Sequence, residues 1–350
     1  MAQSVGWPSL MDSTIAAILV QDGIVNGAIY ALLALSLVLV FAVTRVVFVP
    51  QGEFVAYGGL TYAALDTGAL PGSLWLLAGL GGAAFLAGLA QRRPIFGLTL
   101  SSLVLPAAII ATTWLLLPSR PGILANALLS LAIVTPIAPY IYRIGFQPLA
   151  EASVLVLLIA AVAVHLALMG LGLVFFGPEG SRASAFSAAS ISVGDFSLSG
   201  QALWILGLTG ALMVGLYGFF GFTLLGRALR ATAVNRLGAR LVGIGTTQSG
   251  SIAFTLAGAI GALSGILVVP LTTVYYDSGF VIGLKGFTAA IIAGMASYPG
   301  AVLAAVLVGV LESFSSFWAS AFKEVIVFTA IIPVLLWRSL RHAAIEDDDE

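Results

Sequence analysis

Cysteine is absent from the 350 residues and charge is scarce, with 8% of the chain Asp, Glu, Lys or Arg against roughly 25% in an average soluble domain. The first absence excludes disulfides, thiolate nucleophiles, iron–sulfur clusters and Cys-zinc sites. The second excludes a soluble fold, because 14 basic and 15 acidic side chains cannot cover the surface of a chain this long. Imidazole is limited to His165 and His342, and neither anchors a metal or covalent-catalysis motif. No G-x-x-x-x-G-K-[ST] loop occurs, so any ATP used is hydrolysed by another chain. With a formal net charge of -1 and no basic stretch interleaved with aromatics, nucleic-acid binding has no electrostatic basis. Residues Met1 to Asp12 lack a basic n-region and a small-residue cleavage site, so no removable signal peptide is expected.

What is present is apolar: 60% of the residues are hydrophobic, which predicts an all-α polytopic bundle covered by membrane lipid. A spanning helix takes about 20 apolar residues. The hydropathy pattern places segments at about 22–46, 52–69, 73–90, 95–117, 123–142, 153–176, 201–222, 248–270, 281–297, 300–318 and 324–338. That gives about 10–11 membrane segments, broken or re-entrant ones included, and eleven crossings if every segment spans fully. The expected organisation is one transmembrane domain over 1–345, followed by the acidic tail 346–350, whose like charges predict a disordered cytoplasmic end.

Lys and Arg stay on the cytoplasmic side of membrane proteins. Starting from an outside N-terminus, odd-numbered segments end inside at Arg45, Arg92-Arg93, Arg143, Arg227 and Arg338. Ten of the fourteen basic residues (45, 92, 93, 143, 227, 230, 236, 240, 338 and 341) then face the cytoplasm, as does the C-terminus. Gly177 to Gly200, rich in Ser and Gly and carrying Glu179, Arg182 and Asp195, falls outside. It is either a surface for an external partner or a solvated loop.

Two stretches look irregular at membrane depth. Phe48-Val49-Pro50-Gln51-Gly52-Glu53 joins two apolar runs without a polar turn, and Tyr275 to Gly286 is interrupted by Asp277, Gly279, Gly283, Lys285 and Gly286. Broken backbone there requires protein or a wet cavity to receive the freed polar groups, and paired interruptions point to a translocation pathway. Glu53, Lys285 and Glu312 each cost about 2.5–3.5 kcal/mol at a helix centre. They either line a translocation path, with Gln51, or serve structure, Lys285 neutralising a carboxylate at a helix junction and Glu312 capping a broken helix. His165, set among Val164, Leu166 and Ala167, is expected to be a buried neutral imidazole bonded to a carbonyl. Asp66, Lys323 and Glu324 are expected at the interface, without chemistry.

Between the seventh and eighth segments, at about 226–246, Leu225, Leu229, Ala233, Leu237 and Leu241 step by four and predict one helix with a single slowly turning apolar face. Arg227, Arg230, Asn235, Arg236 and Arg240 lie off that face. Such a helix lies on lipid or inserts into a partner's groove. The interior Gly238 and the alanines at 228, 231, 233 and 239 favour close approach to protein.

These residues resemble the branched-chain amino acid ABC transporter permease family. The similarity runs through Arg230, Ala231, Ala233, Asn235, Ala239, Leu241, Gly243 and Ile244, which are similar to the family's coupling helix. It continues in Gly283-Leu284-Lys285-Gly286-Phe287, in Gly294 to Val302, in Glu312, and near the start in Gly27 to Leu35. The chain departs from the family where N-F-A-[HQ]-G-E becomes Phe48-Val49-Pro50-Gln51-Gly52-Glu53, in the expanded Tyr142 to Ala150 segment, and in an apparent insertion of two spans at about 73–120. The resemblance implies a type II importer architecture related to sugar and cobalamin permeases. It implies a second homologous permease chain, two cytosolic ATPase subunits that hold Mg-ATP, an external solute-binding protein, and no cofactor or catalytic residue in this chain. Its implied substrates are branched-chain or other hydrophobic amino acids, with amides, urea and aromatic acids as variants, moved across a bacterial inner membrane. Arg227, Arg230, Asn235, Arg236 and Arg240 would be the polar contacts to the ATPase, with Leu237 and Leu241 the apolar anchor. Three other classes compete with this reading. An ion-coupled secondary transporter would use Glu53 and Glu312 but leaves the arginine-rich helix without a purpose. A membrane enzyme lacks acid–base residues, and a pore is not excluded by the residues alone.

Overall fold

With Gly and branched aliphatic residues dominating and no polar shell, the chain can satisfy its backbone in lipid only through helices, and it does so. The computed structural model describes residues 13–336 and 340, apart from 93, 194–195 and 296. The expectations for Met1–Asp12, Arg93, Asp195, Arg338, Arg341, His342 and the tail 346–350 lie outside the described residues. The helices are α1 (Ser13–Thr44), α2 (Gln51–Asp66), α3 (Ser73–Ala90), α4 (Ile95–Thr99), α5 (Leu105–Leu116), α6 (Ile123–Val134), α7 (Ile137–Ile141) and α8 (Val154–Phe176). They continue as α9 (Gly200–Phe222), α10 (Leu224–Val234), α11 (Arg236–Leu241), α12 (Thr246–Val268), α13 (Ser278–Ile292), α14 (Tyr298–Trp318) and α15 (Lys323–Thr329). A two-stranded antiparallel hairpin, β1 (Ser190–Val193) and β2 (Phe196–Ser199), pairs Ser190 with Ser199 and Ile191 with Leu198.

Eight runs among the described residues are long and apolar enough to cross a membrane: 14–44, 73–90, 95–119, 123–146, 154–176, 200–222, 246–268 and 298–318. The first correction concerns the condition for eleven crossings, that every segment spans fully, which the three remaining segments do not meet by length. At 1.5 Å per residue, α2 and α13 reach only about 24 and 22 Å, short of the roughly 30 Å hydrocarbon core, and the last segment is interrupted at Ala330. The second correction concerns Tyr275 to Gly286. From Ser278 onward that stretch is continuous helix, because its glycines serve close packing rather than a break: Gly279 and Gly283 press on the backbone of Gly52, and Gly286 on Leu33.

α2 is the centre of the bundle, buried from Gln51 through Ala63. It begins at membrane depth, where Gln51 Nε2 donates to Ala257 O at 3.0 Å, halfway along α12. The preceding break is absorbed by protein, with Phe48 packed against Phe54, Phe146 and Phe254 at centroid distances of 5.8, 6.0 and 4.7 Å. Gly58 and Gly59 lie against Ala262 and Gly265 of α12, and Gly23 and Gly27 of α1 against Val310, Val306 and Gly309 of α14. Without a hydrophobic drive between helices in lipid, such small-residue contacts are what hold backbones together.

The segments at 73–90 and 95–119 lie at the edge of the bundle and expose Trp75, Phe96 and Trp114. The outer one contains a π-helical turn at Leu100–Val104, and a second π turn lies at Tyr142–Phe146. The two are stitched where Tyr140 donates to Ser101 O (2.5 Å) and Arg143 to Ser102 Oγ (2.9 Å). A displaced carbonyl and a buried hydroxyl thus find partners that a regular turn would not offer.

Candidate functional site

The two faces of the bundle carry different features. On one, residues 177–193 and 196–199 form a lid tied down by the backbone pairing of Ser181 with Val274, by Asp66 Oδ2 accepting from Ser184 N (3.0 Å), and by Gln201, which accepts from Phe186 N (3.0 Å) and donates to Leu267 O (2.9 Å). Gln21 of α1 donates to Ser197 O (3.1 Å), so the start of α1 lies on this face too. Asp66 therefore anchors the lid, a role its placement in an interfacial position did not suggest.

Beneath the lid, α1, α13, α14 and the loop after α12 enclose a cleft of about 530 Å³. Its polar wall holds Asn26, Tyr30, Asp277, Lys285, Glu312 and Lys323. Lys285 is 4% exposed and donates to Glu312 Oε1 at 2.5 Å, with Glu324 Oε1 at 3.1 Å on its other side. Tyr30 donates to the second oxygen of Glu312 at 2.5 Å, and the Lys285 ammonium stands 5.7 Å from the centre of the Tyr30 ring. A buried ammonium held between two carboxylates is what low polarity demands, since an unpaired buried charge costs several kcal/mol. Of the two structural roles expected here, neutralisation by Lys285 matches the geometry. Glu312 caps nothing, because α14 runs unbroken through it.

Glu53 does not join this cluster directly. Its Oε1 pairs with His165 Nδ1 at 2.9 Å, and Phe280 stacks on the imidazole at 4.5 Å. The expected carbonyl partner of His165 is thus replaced by a carboxylate, because α8 passes the first turn of α2, where Glu53 is fully buried. Gln51 Oε1 and Glu53 Oε2 have no partner among the described residues. Tyr30 and Glu324 were missed as site residues. Tyr30 is a lone phenol within an apolar run, and Glu324 opens the short helix α15, so neither stands out by spacing.

On the opposite face, α10 and α11 follow α9. The expected single helix is corrected. The backbone is extended at Asn235 (φ -148°, ψ 100°), whose side chain accepts from Gly238 N at 2.8 Å and caps α11. An N-cap Asn with extended backbone starts a new helix, so the leucines no longer share one face. Leu229 is 1% exposed against Leu39, Val43 and Ala253, whereas Leu237 and Leu241 are 68% and 80% exposed. Arg227 and Arg230 with Ala231, Val234, Asn235, Gly238 and Val242 line an open groove of about 600 Å³. Arg236 donates to Ala150 O (3.2 Å), and Arg240 to Glu151 (3.1 Å) and Thr246 Oγ1 (3.1 Å). Two of the five predicted polar contacts therefore tie α11 to the loop before α8, while Arg227 and Arg230 remain exposed. Among the described residues no group of His, Asp and Glu could hold a metal ion.

Comparison with known proteins gives the same direction. Residues 19–335 match the family described as branched-chain amino acid transport system / permease component. The high-affinity branched-chain amino acid transport system permease protein BraD of Pseudomonas aeruginosa is 29% identical over 230 residues, covering 63% of this chain and 75% of that one. The corresponding LivH proteins of Salmonella typhimurium and Escherichia coli are 31% and 32% identical, over 65% and 56% of this chain and 74% and 66% of theirs. No solved structure matches. The helical bundle, its buried charges and this match over most of its length agree: the chain is a multi-pass membrane protein of the branched-chain amino acid transport permease family.

Proposed function

We propose that this chain is the permease subunit of an ATP-driven importer of branched-chain or similar hydrophobic amino acids. Its partners are a second homologous permease, two ATPase subunits and an external binding protein. The lid face is external and the α10–α11 face cytoplasmic in a bacterial inner membrane, by the arginines that cluster on the latter. The observation that carries the reading is the surface of α10 and α11. Val234, Leu237, Leu241 and Val242 are each between 68% and 86% exposed beside Arg227 and Arg230, and residues 224–245 contain no acid. An apolar anchor with flanking charges of one sign suits insertion into a protein groove, the apolar part giving affinity and the charges orientation. The ties of Arg236 and Arg240 to residues 150–151 give α11 a mechanical link toward α8. That link ends at His165 and Glu53 on the buried helix α2.

The test is purification of the tagged chain from its native membrane, followed by transport assays. The reading expects two ATPase copies and one further permease per chain, and uptake abolished by ATP depletion but indifferent to ionophores. Leu241→Asp is expected to insert normally while uptake falls and ATP hydrolysis no longer responds to substrate. Normal uptake by that variant with ATPase bound contradicts the docking role.

A further inference from the structure

The cleft beneath the lid holds charges of both signs in a fixed order. Lys285 sits between Glu312 and Glu324, Lys323 stands 4.0 Å from Glu324, and Asp277 lies on the wall. Glu324, outside the lining of the cleft, backs Lys285 as its second carboxylate partner. Beside these groups the same cleft is walled by Ile29, Val281 and Ile282. Its volume falls within the roughly 300–1,000 Å³ typical of small-molecule sites.

We propose that this clasp is a binding site for the zwitterionic head of an α-amino acid. The ligand's carboxylate takes the Lys285 ammonium, its own ammonium takes the carboxylates of Glu312 and Asp277, and its aliphatic side chain lies along the Ile29 and Val281 wall. The inference rests on the reading of the chain as an amino-acid permease and adds to it a place and a rule of selection. A lone anion would be drawn to Lys285 but repelled by Glu312, Glu324 and Asp277. A lone cation meets the reverse. Only a molecule with both signs a few ångströms apart is attracted by every group, and it enters without adding net charge to a buried site. Because the internal pairs can be exchanged for pairs of the same kind, the ligand replaces contacts rather than leaving charges stranded. Tyr30 keeps one oxygen of Glu312 occupied throughout, which limits the carboxylate to one orientation.

The experiment uses the assembled transporter in lipid nanodiscs without the binding protein. Affinities are measured by ligand-observed NMR for leucine, for 4-methylpentanoate, which lacks the ammonium, and for 3-methylbutylamine, which lacks the carboxylate. Wild type is expected to bind leucine about tenfold or more tighter than either analogue, the discrimination available to a site whose polar groups are left unpaired. Asp277→Asn, on the cleft wall, should weaken leucine and tighten 4-methylpentanoate, from which it removes a repelling charge. Lys285→Gln alone leaves two carboxylates facing each other and is exposed to misassembly, so Lys285→Gln/Glu312→Gln is the second arm, expected to bind leucine no tighter than 3-methylbutylamine, because only acids remain to be paired. Equal affinities in wild type, or leucine preference retained by the double variant, overturn the proposal. ATP-driven leucine uptake by the same preparation, supplied with its binding protein, separates the two claims. Uptake without discrimination sinks the clasp and leaves the permease reading intact, whereas discrimination without uptake keeps the clasp and sinks that reading.

Discussion

The two faces of the bundle use polarity in opposite ways. At the clasp, Lys285, Glu312 and Tyr30 are buried and paired, and the neighbouring apolar residues are packed around them. At α10 and α11, Leu237, Leu241 and Val242 are exposed, with arginines beside them. Charges turned inward at a cost in solvation suit a small ligand that can share them, while apolar groups turned outward suit a macromolecule that covers them. On the proposed reading, solute recognition and partner docking lie apart by the length of α12, about 34 Å for its 23 residues.

That contrast predicts a graded set of stability effects. The largest belongs to the clasp: Lys285→Met removes the cation between two carboxylates and should cost about 3–5 kcal/mol, seen as a lower melting temperature of the purified permease. Next is the packing of the central helix. Gly265→Leu places a side chain where Val55 O and Gly59 N already lie, and about 3 kcal/mol of destabilisation is expected in the same assay. His165→Leu leaves Glu53 without its one side-chain partner among the described residues and should cost about 1–2 kcal/mol, and Glu53→Gln in that background should recover part of it. The smallest effect belongs to the exposed end, where Leu241→Asp should change stability by no more than about 0.5 kcal/mol despite its effect on transport. Equal losses at Lys285 and Leu241 would remove the distinction between the two ends.

Much of this was legible in the sequence, and the failures have a common cause. Scarcity of charge alone gives the membrane bundle. Pro50 and Gly52 in an apolar run give the break before α2, because backbone chemistry is local. The pairing of Glu53 with His165 joins residues far apart in sequence, and the participation of Tyr30 and Glu324 depends on α1 and α15 meeting at Lys285, so no spacing rule reports either. The glycines of α13 looked like interruptions because sequence does not say whether a glycine bends a helix or admits a neighbour. Asn235 could have been read: an Asn three residues before Gly238, within a run of helix formers, is a start signal, and the four-residue step of the leucines masked it.

The absence of cysteine offers the most direct test of the central claim that α10 and α11 receive the motor. Leu241→Cys creates the sole thiol of the chain, at a position 80% exposed, and its rate of maleimide labelling can be followed with and without the ATPase subunits. Labelling should fall about tenfold or more in the assembled complex, as a residue sealed in an interface core loses water, while a thiol introduced at Ser190 in the lid hairpin keeps its rate. Equal labelling of Leu241→Cys in the free and assembled permease would contradict the account.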